Sequence, residues 1–246
     1  MITIGVSLKL WFGHRRTLAW CRQVADLART RPELTDGRVE LFLLPTFPAL
    51  APVLTTVGDA PLSVGAQDLH WADQGPYTGE VSGAELAEIG CRLVAVGHAE
   101  RRRLFGETDR TVNAKTAAAL RNGLVPVLCV GEPERVPTAA AIEIVRDQVA
   151  AASADAGPGR VIIAYEPVWA IGASAPAPDD HIRAVCAALR ERPDRPGSTV
   201  IYGGAAGPGL LDRLGDAVDG LFLGRFAHDP AALARVLDEA ARRSAA

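Results

Sequence analysis

The sequence predicts an α/β fold closed into a single-domain (β/α)8 barrel, and three observations predict it. Short apolar, β-branched runs alternate about eight times with amphipathic stretches rich in Ala, Leu and Arg. The chain has 246 residues, a length at which such barrels commonly form one domain, and no linker divides residues 1–246. No G-x-G-x-x-G follows the first apolar run, so the signature of an open dinucleotide-binding sheet is missing.

The first strand is expected over Ile2 to Val6, and the polar, Arg-rich periodicity that follows reads as a helix over Thr17 to Thr30. Val39 to Leu44, Leu62 to Ala66 and Leu93 to Val96 supply the next three strands. A helix over Thr108 to Asn122 leads to a fifth strand, Val125 to Val130, and a helix over Thr138 to Ala152 leads to a sixth, Val161 to Tyr165. Helix Asp180 to Glu191, strand Val200 to Tyr202, strand Leu221 to Leu223 and helix Pro230 to Arg242 complete the alternation. The Pro- and Gly-rich pieces Ala156 to Gly159 and Pro193 to Gly197 precede strands and are expected as loops on the face away from chemistry.

Composition narrows the function. With 48% hydrophobic residues the chain can bury a sizeable core, and its balance of 26 basic against 29 acidic residues offers no basic stripe for nucleic acid. Cys21, Cys91, Cys129 and Cys186 lie far apart with no C-x-x-C pair, so neither a zinc site nor a disulfide framework is indicated. The first segment reaches Lys9 too early for a signal-peptide apolar region, and no apolar run approaches the roughly 20 residues of a membrane span. A cytoplasmic protein with no membrane partner is expected.

In a barrel of this kind the residues just after the strands converge on one mouth. Strand one delivers Ser7-Leu8-Lys9, strand three Gln67-Asp68, strand four Gly97-His98-Ala99-Glu100, and strand six Glu166 followed by Pro167. Strands seven and eight end in Gly203-Gly204 and Gly224-Arg225, where backbone N–H groups stay unobstructed. A carboxylate, an imidazole and an ammonium near paired glycines suit proton transfer on an anionic substrate. The small residues from Gly172 to Ala177 suit a mobile flap over that site.

Four motifs carry a resemblance: Ala-Tyr-Glu-Pro-Val-Trp-Ala-Ile-Gly, Val-Gly-His-Ala-Glu-Arg-Arg, Asp-Gln-Gly-Pro-Tyr-Thr-Gly-Glu-Val-Ser and Ile-Tyr-Gly-Gly. In order and spacing they resemble the triosephosphate isomerase family from strand one to strand eight, which implies a TIM barrel and aldose–ketose isomerisation. That family is a worked example of pKa tuning, and its assignment is applied here to the matching positions. The resemblance implies Glu166 as the base that moves a proton between neighbouring carbons through an enediol. It implies His98 as a neutral imidazole polarising the carbonyl, held neutral by a helix N-terminus. Lys9 would stabilise the oxyanion, and Glu100 would orient Lys9 or the third loop. Ser7, Gly172, Ser174, Gly204, Ala205, Gly224 and Arg225 would contact a small phosphorylated sugar, and Tyr202 would latch the closed flap near Ala177. No metal or cofactor enters this chemistry. The segment His70 to Ser82 resembles the family's protruding third loop, with Thr78 at its tip, and implies a homodimer.

The sequence also departs from the family. Ser7 stands in place of an Asn that touches substrate, and Trp11-Phe12 replaces small polar residues. Ala99 replaces a Ser after the histidine, and Ala173-Ser174-Ala175-Pro176 replaces a Thr-Gly-Lys tip, stiffening the flap. Ala205 removes a hydroxyl donor to phosphate or flap, and Arg225 occupies a Gly position, either blocking the phosphate cradle or adding a ligand to it. Three readings follow: interconversion of dihydroxyacetone phosphate and glyceraldehyde 3-phosphate; the same chemistry on a four-carbon ketose phosphate such as an L-erythrulose 1-phosphate, which Ser7, Ala205 and Arg225 favour; or a silent phosphosugar-binding relative, which the intact Lys9, His98 and Glu166 oppose.

Overall fold

The computed structural model describes residues 1–191 and 198–245, and the loop expected over Pro193 to Gly197 lies outside the described residues. In chain order the elements are β1 (Ile2–Ser7), α1 (His14–Arg29), α2 (Pro32–Thr35), β2 (Val39–Leu44), α3 (Leu50–Val57), β3 (Ser63–Ala66), α4 (Gly83–Glu88), β4 (Leu93–Val96), α5 (Ala99–Phe105) and α6 (Asp109–Arg121). They continue with β5 (Val125–Val130), α7 (Thr138–Ser153), β6 (Ile162–Tyr165), α8 (Asp179–Arg190), β7 (Thr199–Tyr202), α9 (Leu210–Leu214), β8 (Gly220–Leu223) and α10 (Pro230–Ser244). The eight strands pair in parallel and in sequence order, and β8 returns to β1, closing the barrel. Each strand boundary falls within one residue of the sequence expectation. The helices α2, α3, α4, α5 and α9 were not anticipated as elements, because runs of 4 to 8 residues are too short to show a helical period.

The two-residue alternation of the strands decides what enters the barrel. Ile2, Ile4 and Val6 of β1 pack outward against the helices, which leaves Thr3, Gly5 and Ser7 on the inner row. Gly5 is required there: a Cβ would lie 2.2 Å from the Phe42 ring, which fills the lumen opposite Phe222 with 5.9 Å between ring centroids. The inner rows of the other strands hold Leu44, Leu93, Ala95, Val127, Cys129, Ile162, Ala164 and Ile201. At the bottom the lumen is closed by polar groups, where Arg160 Nη1 donates to Glu40 at 2.9 Å and Thr3 Oγ1 donates to the same carboxylate at 3.1 Å. Continuing the inner rows upward places Ser7, Gln67, Glu166 and Gly203 at the C-terminal mouth. The catalytic-looking carboxylate is therefore one step beyond Ile162 and Ala164 on an inward row, a position where a Leu or Val would simply extend the core.

No helix among the described residues is long and apolar enough to cross a membrane. The loop between β3 and α4 projects from the body: residues 74–80 are all exposed, while its base is closed by a bridge between His70 and Ser82 and by His70 stacked on Trp71 and Tyr77.

Candidate active site

Glu166 reaches the mouth because three neighbours make room for it. Its N–H donates to the Val130 carbonyl at 2.7 Å, extending the β5–β6 ladder by one residue before Pro167 ends it. On one side a Cβ at Gly131 would come within 2.0 Å of the Glu166 carbonyl; on the other, a Cβ at Gly203 would lie 2.6 Å from Glu166 Cγ. Glycine at both places is what lets a carboxylate sit buried between strands, with a side-chain exposure of 6%. Cys129 lies beneath it on the inner row. Burial pushes that thiol well above its ordinary range and the Glu166 charge acts in the same direction, so no thiolate competes at the site.

His98 caps α5. Its φ and ψ of -54° and 141° are those of an N-cap, and its Nδ1 accepts the Glu100 N–H at 3.1 Å. A backbone donor can only be accepted by an unprotonated nitrogen, so this bond fixes the neutral tautomer with its proton on Nε2. That Nε2 lies 3.6 Å from Glu166 Oε2, beyond hydrogen-bond range, and both atoms are buried without a protein partner. Two unpartnered polar atoms facing one gap are costly in a folded core and mark a place where a third group belongs.

Lys9 is the one non-glycine residue with positive φ among the described residues, at 46°. For an L-residue this conformation costs on the order of 1 kcal/mol, and such strain gathers at functional sites. Gln67 sustains it from below, its Nε2 donating to the Lys9 carbonyl at 3.1 Å and to the Leu44 carbonyl at 2.9 Å. Lys9 Nζ in turn donates to Glu100 Oε1 at 2.7 Å. Partial burial works to raise the Glu100 pKa, but the hydrogen bond and charge of Lys9 outweigh it and hold the carboxyl below its ordinary value.

Glu166, His98, Lys9 and Glu100 line one cavity of about 340 Å³, together with Ser7, Gly172, Gly204, Ala205, Gly224 and Arg225. Among the described residues the N–H groups of Gly172, Gly204, Ala205, Gly224 and Arg225 have no protein acceptor, and the Ser7 hydroxyl has no protein partner. Free amides converging from three loops form a nest that suits a phosphate. Ser174 is placed differently: it is exposed on the flap and takes no part in the cavity wall. Arg225 lines the same cavity, and its Nη2 donates to the Gly172 carbonyl at 3.1 Å. Tyr202 Oη accepts the Ala177 N–H at 3.0 Å, the expected tie at the far end of the flap.

Sequence reasoning passed over Arg103, which lines the cavity from the last turn of α5. The run of three arginines, Arg101 to Arg103, was its only signal. It also missed the support under the flap's first hinge. Fully buried Glu132 accepts from Trp169 Nε1 at 2.8 Å and from Tyr165 Oη at 3.1 Å, with His181 Nε2 at 3.2 Å. Nothing local in the sequence links residues 33 to 49 positions apart.

The family model described as triosephosphate isomerase matches residues 2–240. Among curated proteins, the L-erythrulose-1-phosphate isomerase of Pectobacterium atrosepticum is 55% identical over 97% of this chain and 95% of its own. The triosephosphate isomerase of Gloeothece citriformis is 35% identical over 91% of this chain and 94% of its own. Among solved structures, triosephosphate isomerase from Bartonella henselae superposes with a TM-score of 0.82 and 27% identity, covering 97% of this chain and 98% of that one. A closed eight-stranded barrel, a family match along nearly its whole length and relatives that are isomerases agree: the chain belongs to the triosephosphate isomerase family and is an isomerase of the aldose–ketose type.

Proposed function

We propose that the substrate is a four-carbon ketose 1-phosphate of the L-erythrulose 1-phosphate kind. The observation that carries this choice is the 55% identity, over 97% of the chain, to a protein named L-erythrulose-1-phosphate isomerase. Relatives named triosephosphate isomerase are 35% and 37% identical. Ser7 supports the same reading. A tetrulose 1-phosphate is dihydroxyacetone phosphate with a hydroxymethyl group added at the reacting carbon, so its pocket needs more space and a polar partner at the end away from phosphate. Ser in place of Asn supplies space, and its unpartnered hydroxyl supplies the partner.

The chemistry follows from the site. Glu166 takes the proton from carbon 3 while the His98 Nε2–H donates to the carbonyl oxygen on carbon 2, and Lys9 stabilises the charge that develops on that oxygen. The enediol then carries carbons 2 and 3. His98 exchanges protons between the two oxygens, and Glu166 returns its proton to carbon 2. Because oxygen 1 is esterified to phosphate, the carbonyl can move only inward. The product is a second ketose, erythrulose 4-phosphate, whereas a triose would give an aldehyde by the same steps. Free amides at Gly172, Gly204, Ala205, Gly224 and Arg225 would take the phosphate.

The triose phosphate reading is the second one, favoured by the intact Lys9, His98 and Glu166 set and by the Bartonella henselae structure. Incubation with L-erythrulose 1-phosphate in D2O distinguishes them: the four-carbon reading predicts erythrulose 4-phosphate bearing deuterium on the protonated carbon. Recovery of unlabelled substrate would reject it.

Within this reading the protein works as a homodimer through the loop around Thr78. The exposed loop, and exposed Leu104 and Phe105 at the end of α5, give a second copy apolar surface to cover. Sedimentation at micromolar concentration should show dimers that Thr78→Arg dissociates, and monomers of the unaltered chain would refute the assembly.

A further inference from the structure

The loops after β1, β6 and β8 meet at Arg225. Its Nη2 donates to the carbonyl of Gly172 at the start of the flap, and its guanidinium carbon lies 5.8 Å from the centroid of the Trp11 ring. The turn that carries Arg225 is anchored from below. Trp20 Nε1 of α1 donates to the Ala227 carbonyl at 3.0 Å in a buried contact, and His228 packs on Phe12 with 4.5 Å between ring centroids and on Trp11 at 6.4 Å. Arg225 thus reaches from a fixed base to a segment whose next residues, Ala173 to Ala175, are exposed. At the other end of that segment Tyr202 holds the Ala177 N–H. Two departures from the family combine here. Ala205 lacks a hydroxyl that could serve the flap, and Arg225, standing where a Gly is expected, supplies a donor from the neighbouring loop after β8.

We propose that Arg225 is a positioning residue that latches the start of the flap through the Gly172 carbonyl, resting on Trp11, and so keeps the enediol phosphate from water. The proposal rests on the isomerase reading of the cavity but not on which sugar phosphate fills it. An exposed enediol phosphate loses its phosphate: the enediolate electrons form a new carbon–carbon double bond, the carbon–oxygen bond to phosphate breaks, and inorganic phosphate departs with that pair. A weakened latch therefore has a chemical signature that a packing defect elsewhere does not.

The test compares the full-length protein with Arg225→Ala and Arg225→Lys, with Tyr202→Phe as the reference for a loosened flap. Two quantities are read: amide hydrogen exchange across residues 171–177, and inorganic phosphate released per isomerisation turnover. Losing a charge-assisted hydrogen bond at a solvent-facing site should speed flap exchange in Arg225→Ala by about three- to tenfold. Exchange elsewhere should be unchanged, phosphate release per turnover should rise, and kcat should fall more than KM rises. Arg225→Lys should recover part of each effect, since an ammonium can reach a carbonyl but cannot fork over an indole. Unchanged flap exchange with a raised KM would overturn the latch in favour of a phosphate ligand, and no change in either quantity would overturn it in favour of a solvent-facing side chain. Should the unaltered protein turn over neither sugar phosphate, the substrate reading fails, and the exchange measurement still decides the latch.

Discussion

Glu166 Oε2 and His98 Nε2 face each other across 3.6 Å, both buried and both without a partner. The separation is too long for a direct hydrogen bond, so neither atom satisfies the other and both are left to a group that reaches them from the cavity. Everything nearby maintains it: glycines at 131 and 203 give Glu166 its room, and the Glu100 N–H keeps His98 Nδ1 occupied so that its proton stays on Nε2.

In the proposed reaction Glu166 is the base, and holding a carboxylate in this way is costly to the fold. Glu166→Gln should lower kcat by roughly 10²- to 10⁴-fold, the usual contribution of a positioned general base. Its thermal unfolding midpoint should stay level or rise, since an amide removes an uncompensated buried charge. Steady-state kinetics beside calorimetry checks both, and a variant that loses stability along with activity would mean the carboxylate serves the core.

Lys9 should show the same opposition through its backbone. Glycine adopts a φ of 46° without strain, and Lys9→Gly and Lys9→Met both remove the ammonium. Both variants should lose activity, while Lys9→Gly unfolds with about 1 kcal/mol more stability than Lys9→Met. Equal stabilities in denaturant titrations would show that the backbone at Lys9 carries no strain.

The Lys9–Glu100 pair also has a pH signature. Partial burial raises the Glu100 pKa, yet Lys9, with Arg103 behind it, holds it below its ordinary value of 4.5. A carboxyl depressed in the folded state keeps its charge to lower pH than in the unfolded chain. Its contribution is complete above the unfolded value and disappears as pH falls through the folded one. The stability difference between the unaltered protein and Lys9→Met should therefore be flat near neutral pH and shrink below about 4.5. The group is 41% exposed, so the difference is small, and a gap that widens on acidification would contradict the assignment.

Much of this was legible in the chain, and the limits have physical causes. Strands announce themselves because a two-residue period and β-branched runs survive in the sequence, and Glu166 stood out as a carboxylate at the end of one. The placement of Lys9, His98 and Glu166 at strand ends then follows from barrel closure alone. Arg225 was different. Its partner Gly172 is 53 residues away, and only the meeting of two loops brings the guanidinium to that carbonyl. The Glu132 support was hidden for the same reason. Ser174 was expected in the site by analogy with a flap tip whose sequence this chain does not share, and it faces solvent.

Specificity should move with Ser7. Ser7 lines the cavity, and in the proposed pocket the larger Asn would crowd an added hydroxymethyl, so Ser7→Asn should raise the ratio of triose to tetrulose kcat/KM by about tenfold or more, the scale of a lost hydrogen bond plus a crowded methylene. An unchanged ratio would place the four-carbon determinant elsewhere in the cavity.

The most direct measurement is kcat/KM on L-erythrulose 1-phosphate against dihydroxyacetone phosphate and glyceraldehyde 3-phosphate, with Glu166→Ala beside it. The tetrulose phosphate should be turned over more efficiently than either triose, and Glu166→Ala should abolish all three activities. A triose phosphate preferred over the tetrulose, or turnover that survives Glu166→Ala, would contradict the proposed reaction.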